Sequence, residues 1–365
     1  GGSLKYDYFS PNEKNRLSIF ASAANTDRDS YYGPGNDPLK AYGKTTDLIA
    51  MGGAQYVHTF DKCLFMPSDL TAGLEYNRDR LKDNMWGYDR HTDQTVNIYS
   101  AFLQNEWKNE RWSILVGGRL DKHNMVDNII FSPRANLRFN PTQNINLRLS
   151  YSSGFRAPQA FDEDMHIENV GGTVAMIERA KNLKEEKSQS FSASADIYHR
   201  FGAFQTNFLI EGFYTKLTDV FVLGEPYNRG DGVLVKLRSN GPGAKVVGVT
   251  QEGKLAYLSL LQVQAGLTLQ RSRYDEPHKW HDDVPAKRTI FRTPNVYGYF
   301  TATYIPIKPL SIALSGTYTG SMFVQRMDIT AKNAAMGDMP ERKAEAVKTP
   351  KFLDLGVKLA YDFKL

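Results

Sequence analysis

Alternating apolar and polar residues constrain the fold more than any other feature of this sequence. The alternation is strict in residues 145–151, 191–197 and 353–363, and weaker versions of it recur along the whole chain. A period of two places the apolar residues on one face of a sheet and the polar residues on the other. No comparable helical pattern extends over three turns. The sequence therefore predicts an all-β chain.

We predict fifteen strands from this pattern. A tilted strand that crosses a membrane needs about 9–11 residues, and most of the predicted strands reach that length. Their bounds are 3–9, 14–25, 45–60, 69–80, 96–107, 111–122, 131–139, 144–153, 188–200, 204–223, 244–256, 260–274, 292–305, 310–324 and 351–364.

The connections between these strands alternate strictly between short and long. In an up-and-down antiparallel barrel, such alternation gathers the short turns at one end and the long loops at the other. Outer-membrane barrels have this asymmetry. The short connections are 10–13, 61–68, 108–110, 140–143, 201–203, 257–259 and 306–309, and the long ones are 26–44, 81–95, 123–130, 154–187, 224–243, 275–291 and 325–350.

The composition agrees with a transmembrane β-barrel and excludes other classes. Mean hydropathy is −0.46, and no run approaches 18 apolar residues, which excludes a helical membrane protein. Barrel strands average out as hydrophilic because their faces alternate. The single cysteine, Cys63, excludes a disulfide framework, and the net charge of +5 is dispersed rather than gathered in a basic tract. Motifs typical of enzymes are missing, so we expect no enzymatic activity.

The alternative fold is a soluble β-sandwich or propeller. A propeller should repeat every 40–50 residues, and the sequence has no such repeat. Loops of a sandwich are not expected to sort so regularly by length. Because bacterial single-chain barrels have even strand numbers, fifteen strands indicate an incomplete barrel.

The alternation also predicts which side chains face the lipid. The outward face should carry the apolar residues of two strands, and the lumen face should carry Asn146, Arg148 and Lys358. The outward residues are Ile145, Leu147, Leu149, Leu355, Val357 and Leu359.

Two segments around the longest loop resemble a family signature. Gly154-Phe155-Arg156-Ala157-Pro158 opens the loop, and 182–188, Asn-Leu-Lys-Glu-Glu-Lys-Ser, opens the next strand. This pair is similar to the barrel signature of TonB-dependent receptors, of the Bacteroidetes metal-chelate type. The stretch 241–252 resembles a further strand of the same family.

The resemblance implies a fold and a mechanism. Members have a 22-stranded transmembrane barrel that is plugged by an N-terminal domain. A TonB box couples this plug to TonB, ExbB and ExbD, and the proton motive force drives uptake of scarce, bulky ligands. We therefore expect residues 1–365 to form one partial barrel domain with about 15 of 22 strands, without the plug and the TonB box. The expected location is the outer membrane of a Gram-negative bacterium, in contact with its lipid.

Histidines on the long-loop side are candidate metal ligands. Imidazole ligates haem iron and other metals, and His91, His123 and His166 lie in or beside long loops. His166 also lies between the two signature segments. Haem receptors of the family are similar in this layout, and their histidine at that place ligates the haem iron. The competing interpretation is that polar loops collect histidines without any ligand.

Three further residues are candidates for ligand contact. Arg156 could pair with an anionic group, or form a salt bridge inside the barrel. Trp86 and Trp280 could stack on a planar ligand, or lie in the aromatic girdle at the membrane interface. The predicted function is TonB-dependent uptake of a metal chelate, namely haem, a ferric siderophore or cobalamin, with no intrinsic cofactor. A passive porin-like channel is the alternative.

Overall fold

A computed structural model describes residues 1–31, 42–86, 90–160, 168–170, 173–228, 234–279, 283–330 and 341–363. Strands dominate this part of the chain, and none of its segments forms a helix long and apolar enough to cross a membrane. The strands in chain order are β1 (Gly2–Phe9), β2 (Asn15–Tyr31), β3 (Tyr42–Cys63), β4 (Met66–Met85), β5 (Arg90–Lys108), β6 (Trp112–His123), β7 (Ile130–Thr142), β8 (Ile145–Arg156), β9 (Glu168–Val170), β10 (Thr173–Arg179), β11 (Glu186–Phe201), β12 (Phe204–Thr218), β13 (Phe221–Asn228), β14 (Leu234–Asn240), β15 (Ala244–Tyr257), β16 (Leu261–His278), β17 (Lys287–Thr289), β18 (Val296–Ile307), β19 (Leu310–Thr319), β20 (Phe323–Thr330), β21 (Glu341–Lys348) and β22 (Phe352–Tyr361).

Fifteen of these strands form the wall that the sequence predicts. Their order in the sheet is β1-β2-β3-β4-β5-β6-β7-β8-β11-β12-β15-β16-β18-β19-β22, and the short β17 pairs with β16 as a sixteenth strand. Each wall strand runs antiparallel to the next one, which confirms the up-and-down topology. Within the described residues, β1 pairs with β2 alone and β22 with β19 alone. The wall is therefore open, as predicted for an incomplete barrel.

Several wall strands end at other residues than the sequence indicated. Strand β2 continues to Tyr31 and β3 starts at Tyr42, although the predicted strands were 14–25 and 45–60. Both extensions are polar, so their backbone ladder continues beyond the point where apolar alternation stops. The predicted strand 204–223 was too long. Strand β12 ends at Thr218 because Asp219 adopts a left-handed φ of 54°, which interrupts the extended chain.

The long connections lie at one end of the wall, and two of them build a sheet of their own. Strands β9, β10, β13 and β14 form this loop sheet, in which β10 and β14 run parallel. Gln94, in the predicted loop 81–95, accepts a hydrogen bond from the backbone N–H of Ala160 at 2.8 Å. At the opposite end, the indole of Trp107 donates to the carbonyl of Cys63 at 3.0 Å. The predicted grouping of the two classes of connection at opposite ends of the wall is thus confirmed for the described residues. Their strict sorting by length is not, because β4 ends at Met85 and β5 starts at Arg90, so the predicted long loop 81–95 shrinks to four residues, fewer than the five between β1 and β2.

The polar face of the wall is the concave, lumen face. Arg119 on β6 reaches across β5 to Glu75 on β4, with 2.6 Å between Nη1 and Oε2. Side chains converge in this way only on the inside of a curved sheet. The same guanidinium also contacts Asp121, which accepts a hydrogen bond from Ser100 at 2.6 Å. The charges of this cluster are thus paired and hydrogen-bonded, as burial requires.

The opposite face of the wall is apolar and exposed. On β8, Leu149 is 55% exposed and lies opposite Ala193, whereas Ser150 bonds to Ser192 on the polar face. Such a continuous apolar surface is not stable in water. It fits the lipid-facing band of a membrane barrel. The exposed residues of this apolar face include Leu147, Leu149, Leu355, Val357 and Leu359, as predicted.

Aromatic rings bound this apolar band on both sides. Near the short turns, ring pairs such as Phe65–Trp107 and Trp112–Phe139 stack at 5.6 Å and 4.2 Å. On the loop side, further rings pack against each other, for example Tyr151 against Phe191, which are tilted with 4.7 Å between the ring centres. From Phe191 to Phe201 at the turn end, a tilted strand rises about 25 Å, the usual height of the lipid-facing band. The rings therefore mark the two membrane interfaces.

Glycines opposite large aromatic rings fix the register of the wall. Gly73 lies directly opposite Phe102, and a Cβ atom at Gly73 would come within 2.3 Å of the ring. Gly248 receives Phe213 in the same way, with a Cβ contact of 2.5 Å. A ring that packs over a cross-strand glycine fixes the register, because in a shifted register the ring would overlap with a side chain.

The lipid-facing assignment can be tested with two neighbouring residues. Leu147→Arg should impair assembly, because a charge at the centre of the apolar band costs about 2–4 kcal/mol. Arg148→Leu should be milder, since it removes only a hydrogen bond from Arg148 Nε to Asn146. The folded fraction in isolated membranes, read from heat-modifiable gel migration, measures both. A larger loss for Arg148→Leu would contradict the assignment.

The glycine pairing makes a second prediction. Gly73→Val should destabilise the wall by about 1–3 kcal/mol, because the new methyl groups overlap with Phe102. Gly212→Val is the matched control, since a Cβ atom there meets no other atom within 4 Å. Unfolding midpoints in detergent and urea should drop for the first variant and stay near wild type for the second. Equal midpoints would show that the ring does not depend on the glycine.

Candidate functional site

The Gly-Phe-Arg-Ala-Pro segment joins the wall to the loop sheet. Strand β8 ends at Arg156, and the next residue, Ala157, is buried against Val126 and Ile130. Phe155 packs against the same apolar cluster. The segment thus anchors the longest loop through its small and apolar residues, and it sets the direction in which the chain leaves the membrane.

Arg156 contacts both the wall and the loop sheet. Its guanidinium lies 5.4 Å from the ring centre of Phe221, at the start of β13. It pairs in register with Glu186, whose carboxylate accepts the backbone N–H of Phe221 at 2.8 Å. Arg156 is half-buried, and these contacts join β8, β11 and β13. The arrangement supports a structural role, and ligand contact by Arg156 stays a prediction.

A cavity of about 510 Å³ lies between the loop-side start of β5 and strand β10 of the loop sheet. Its size suits a small-molecule ligand, since such sites usually measure about 300–1,000 Å³. It opens on the side of the long loops, where an external ligand would arrive. The lining residues are Arg90, His91, Thr92, Met125, Pro158, Ala160, Met176, Ile177, Glu178, Arg179, Ala180, Lys181 and Leu183.

Two arginines in this lining are held by the hydrogen bonds that they donate to buried residues. Arg90 Nε donates a hydrogen bond to Asp83 Oδ2 at 3.0 Å, and Arg90 Nη2 lies 2.8 Å from the same oxygen. Asp83 is almost fully buried and also accepts from Thr45 at 2.6 Å. Arg179 donates from Nη1 to Gln94 at 2.6 Å and to the carbonyl of Pro158 at 3.2 Å. Both guanidinium groups are therefore preorganised.

The cavity lining is cationic. Arg90, Arg179 and Lys181 contribute three positive charges, and Glu178 together with Asp83, the ion-pair partner of Arg90, contributes two negative charges, so one positive charge remains in excess. Lys181 is exposed to solvent, so it can turn towards a ligand without breaking a buried contact. Cationic side chains with fixed arginine geometry suit carboxylates, phenolates and other anionic oxygen groups. The arrangement favours an anionic small molecule over a neutral or cationic one.

The predicted metal ligands are not gathered in the described part of the structure. His91 contributes to the cavity lining, and its Nδ1 lies 2.9 Å from Asn84 Oδ1. Trp86 is 55% exposed after β4 and is not among the lining residues. His166 and Trp280 lie outside the described residues. Within the described ranges, no three His, Cys, Asp or Glu side chains stand close enough to hold a metal ion.

His123 is buried at the loop-side end of β6, beyond the apolar band. Its Nδ1 accepts the backbone N–H of Met125 at 3.0 Å, so Nε2 carries the ring proton and donates to Gln159 at 3.2 Å. Burial lowers the pKa of His123 from its ordinary value. The neutral ring therefore ties this turn to the loop that follows Pro158. To bind a metal, His123 would have to give up one of these hydrogen bonds.

Sequence reasoning missed the residues that shape the cavity. Arg90 and Gln94 fall within a predicted loop, and Arg179 lies three residues before the start of the second signature segment, yet no local pattern distinguishes them. They come together only because β10 folds back over the start of β5. The spacing along the chain between Gln94 and Arg179 is 85 residues. A single sequence carries no signal for such a contact.

The sequence itself matches a family model described as "TonB dependent receptor-like, beta-barrel" over residues 2–365. The chain belongs to the TonB-dependent receptor family. This confirms the predicted family, and it agrees with the antiparallel up-and-down wall. No curated protein sequence gives a significant match.

Solved structures of such receptors share the fold of this chain at low identity. The siderophore receptor PirA from Acinetobacter baumannii has a TM-score of 0.69 at 14% identity, with 99% of this chain and 56% of that chain covered. A variant of the ferric enterobactin receptor PfeA from Pseudomonas aeruginosa, in complex with enterobactin, has a TM-score of 0.71 at 15% identity, with 99% and 54% covered. The Escherichia coli ferric-catecholate import receptor Fiu has 0.67 at 12%, with 99% and 57% covered. The TonB-dependent receptor chain described here thus spans little more than half the length of these structures.

The buried histidine predicts a dependence of stability on pH. Because the pKa of His123 is lower in the folded receptor than the unfolded value of 6.5, the unfolded chain takes up the proton first as pH falls. The contribution of His123 is therefore present above about pH 6.5 and is lost on acidification. Thermal unfolding of the full-length receptor in detergent should show a steeper loss from pH 8 to pH 5 for wild type than for His123→Gln. Parallel curves would contradict the role of the ring.

Proposed function

We propose that the full-length protein imports an anionic metal chelate across the outer membrane of a Gram-negative bacterium, with energy supplied through TonB, ExbB and ExbD. Family membership supports the transport mechanism. The observation that carries the ligand class is the cationic cavity on the long-loop side, with Arg90, Arg179 and Lys181 in its lining. The protein acts as a transport receptor rather than an enzyme.

A ferric siderophore fits this cavity better than the other chelates that the sequence suggested. A ferric catecholate or hydroxycarboxylate brings its own iron ligands and exposes anionic oxygens. Such a ligand needs cations and hydrogen-bond donors from the receptor, and Arg179 and Lys181 offer both. The structures of similar fold include receptors named for siderophores and one in complex with enterobactin. These relatives motivate the choice of probe.

Haem is the second candidate. Its propionates are also anionic, but its iron would take an axial ligand from the protein. His166, His91 and His123 remain the predicted ligands for that case, although His123 would have to give up a hydrogen bond. Arg156, Trp86 and Trp280 remain predicted contacts. A passive porin-like channel is not favoured, because family membership implies energised uptake.

The ligand class is tested by binding to the full-length receptor in detergent. Ferric enterobactin serves as the anionic probe, ferrichrome as a neutral siderophore, and haem as the alternative, followed by its Soret band. Lys181→Gln should weaken binding of the anionic probe about tenfold, since a charge-assisted hydrogen bond contributes roughly 1.5 kcal/mol. Arg179→Gln should have at least the same effect. Arg111→Gln, an exposed cation at the short-turn end, is the control and should bind as wild type does.

Three outcomes would separate the alternatives. If haem alone binds and His166→Ala reduces its affinity, the haem candidate replaces the siderophore. If no chelate binds, or if Lys181→Gln and Arg179→Gln both bind like wild type, the ligand proposal fails. Uptake of the bound chelate should disappear in cells that lack TonB, and uptake that persists there would favour a passive channel.

A further inference from the structure

The outward face of β4 changes from apolar to basic within a few residues. Alternation puts Ala72, Leu74 and Tyr76 on the lipid-facing side, because Thr71, Gly73 and Glu75 line the lumen face. Continuing along the same face, the next outward residues are Arg78, Arg80 and Lys82, and all three are exposed. We call these three residues the β4 basic stripe.

The basic stripe begins where the apolar band ends. Tyr76 stacks on Tyr99 with 4.9 Å between the ring centres, and its hydroxyl donates to Asn97 at 2.8 Å. This pair belongs to the loop-side aromatic girdle, which marks the membrane interface. A strand rises about 3.4 Å per residue, so Arg78 lies about 7 Å further along the strand. The stripe therefore stands at the level of lipid headgroups in the outer leaflet.

Arg78 and Arg80 have no ion-pair partner among the described residues, whereas Lys82 has one. Lys82 lies 3.6 Å from Asp93 on β5. Arg78 pairs in register with Ala50 and Asn97, and Arg80 pairs with Leu48 and Thr95, which are all uncharged. Neither arginine forms an ion pair with any residue that the structure describes.

Neighbouring strands carry both basic and acidic residues at this level. Lys44 on β3 pairs in register with Asn84, two residues beyond Lys82, and is exposed on the same face. Lys122 on β6 lies opposite Tyr99 at the level of the girdle. The acidic residues of this face are Asp27, Asp29 and Asp93: Asp29 pairs in register with Lys44, Asp93 pairs with Lys82, and Asp27 accepts a hydrogen bond from Thr46 at 3.0 Å. The stripe thus remains the most cationic part of the lipid-facing surface of β4.

We propose that Arg78 and Arg80 bind the phosphate groups of the anionic glycolipid in the outer leaflet. The two guanidinium groups project from one face at about 7 Å spacing along the strand, and each can bind a phosphate through two parallel hydrogen bonds. The acyl chains of the same lipid would then lie on Leu74 and Tyr76 directly below. This continuity of charge with the apolar band favours a lipid over a free anion. The proposal rests on the outer-membrane location given under the proposed function.

This surface is separate from the chelate cavity. The stripe points away from the lumen, whereas Asp79 and Leu81 alternate with it and point inwards. Arg78 and Arg80 do not line the cavity, whose β5 contribution begins beyond them at Arg90 to Thr92. Lipid binding and chelate binding should therefore respond to different substitutions.

The test uses the full-length receptor in nanodiscs or detergent, titrated with bis-phosphorylated lipid A and with the same lipid after enzymatic removal of its phosphates. Wild type should bind the phosphorylated form more tightly. The double variant Arg78→Gln/Arg80→Gln should bind it roughly thirtyfold more weakly, because each cation near a charged surface contributes about fivefold. Arg78→Lys/Arg80→Lys should retain most of the affinity, since it keeps both charges. Lys62→Gln/Arg111→Gln, two exposed cations at the short-turn end, is the matched control and should bind like wild type.

Three results would overturn the proposal. The first is equal affinity of wild type and the glutamine variant for the phosphorylated lipid. The second is equal affinity of wild type for the two lipid forms. The third is competition by millimolar inorganic phosphate alone, which would assign the site to free anions and not to the lipid. Folding is checked by heat-modifiable migration, and chelate binding is measured in the same sample. If wild type binds no chelate, that result counts against the proposed function, and the lipid measurement can still be interpreted.

Discussion

The backbone hydrogen-bond ladder between neighbouring antiparallel strands is the constraint on which this structure depends. In lipid, no water can satisfy an exposed N–H or C=O group, so strands cross a membrane only when both of their edges are paired. The thirteen wall strands from β2 to β19 meet this requirement within the described residues, and β1 and β22 are each paired on one edge. The ladder runs from Gly2 opposite Ala23 to Leu310 opposite Tyr361. Once the ladder is formed, alternation alone decides which side chains contact lipid and which line the lumen.

This constraint explains how much could be predicted from the sequence. All fifteen wall strands follow from period-two alternation, because a wall with lipid on one side and a polar lumen on the other requires it. The extensions of β2 to Tyr31 and of β3 to Tyr42 were missed, since the apolar half of the pattern ends where the lipid ends. The loop sheet was missed entirely. Its parallel pairing of β10 with β14 joins residues such as Met176 and Val235, which no local pattern relates.

The candidate site shows the same division between local and long-range information. The sequence drew attention to Arg156, and the structure gives it a position between the wall and the loop sheet. His123 was a predicted metal ligand, and its ring is buried with both nitrogens hydrogen-bonded. The cations of the cavity, such as Arg179, depend on a contact between two long loops. A pattern of residue types can predict a barrel wall, whereas a binding site made by folded loops requires the structure.

The location of the bound metal tests the account most directly. A crystal of the full-length receptor with ferric enterobactin, measured at the iron absorption edge, gives the position of the iron without assumptions about the ligand. If the chelate binds in the proposed site, an anomalous peak lies over the cavity between β5 and β10, within reach of Arg179 and Lys181 through the anionic oxygens of the chelate. An iron peak on another face of the loops, distant from these cations, would contradict the account.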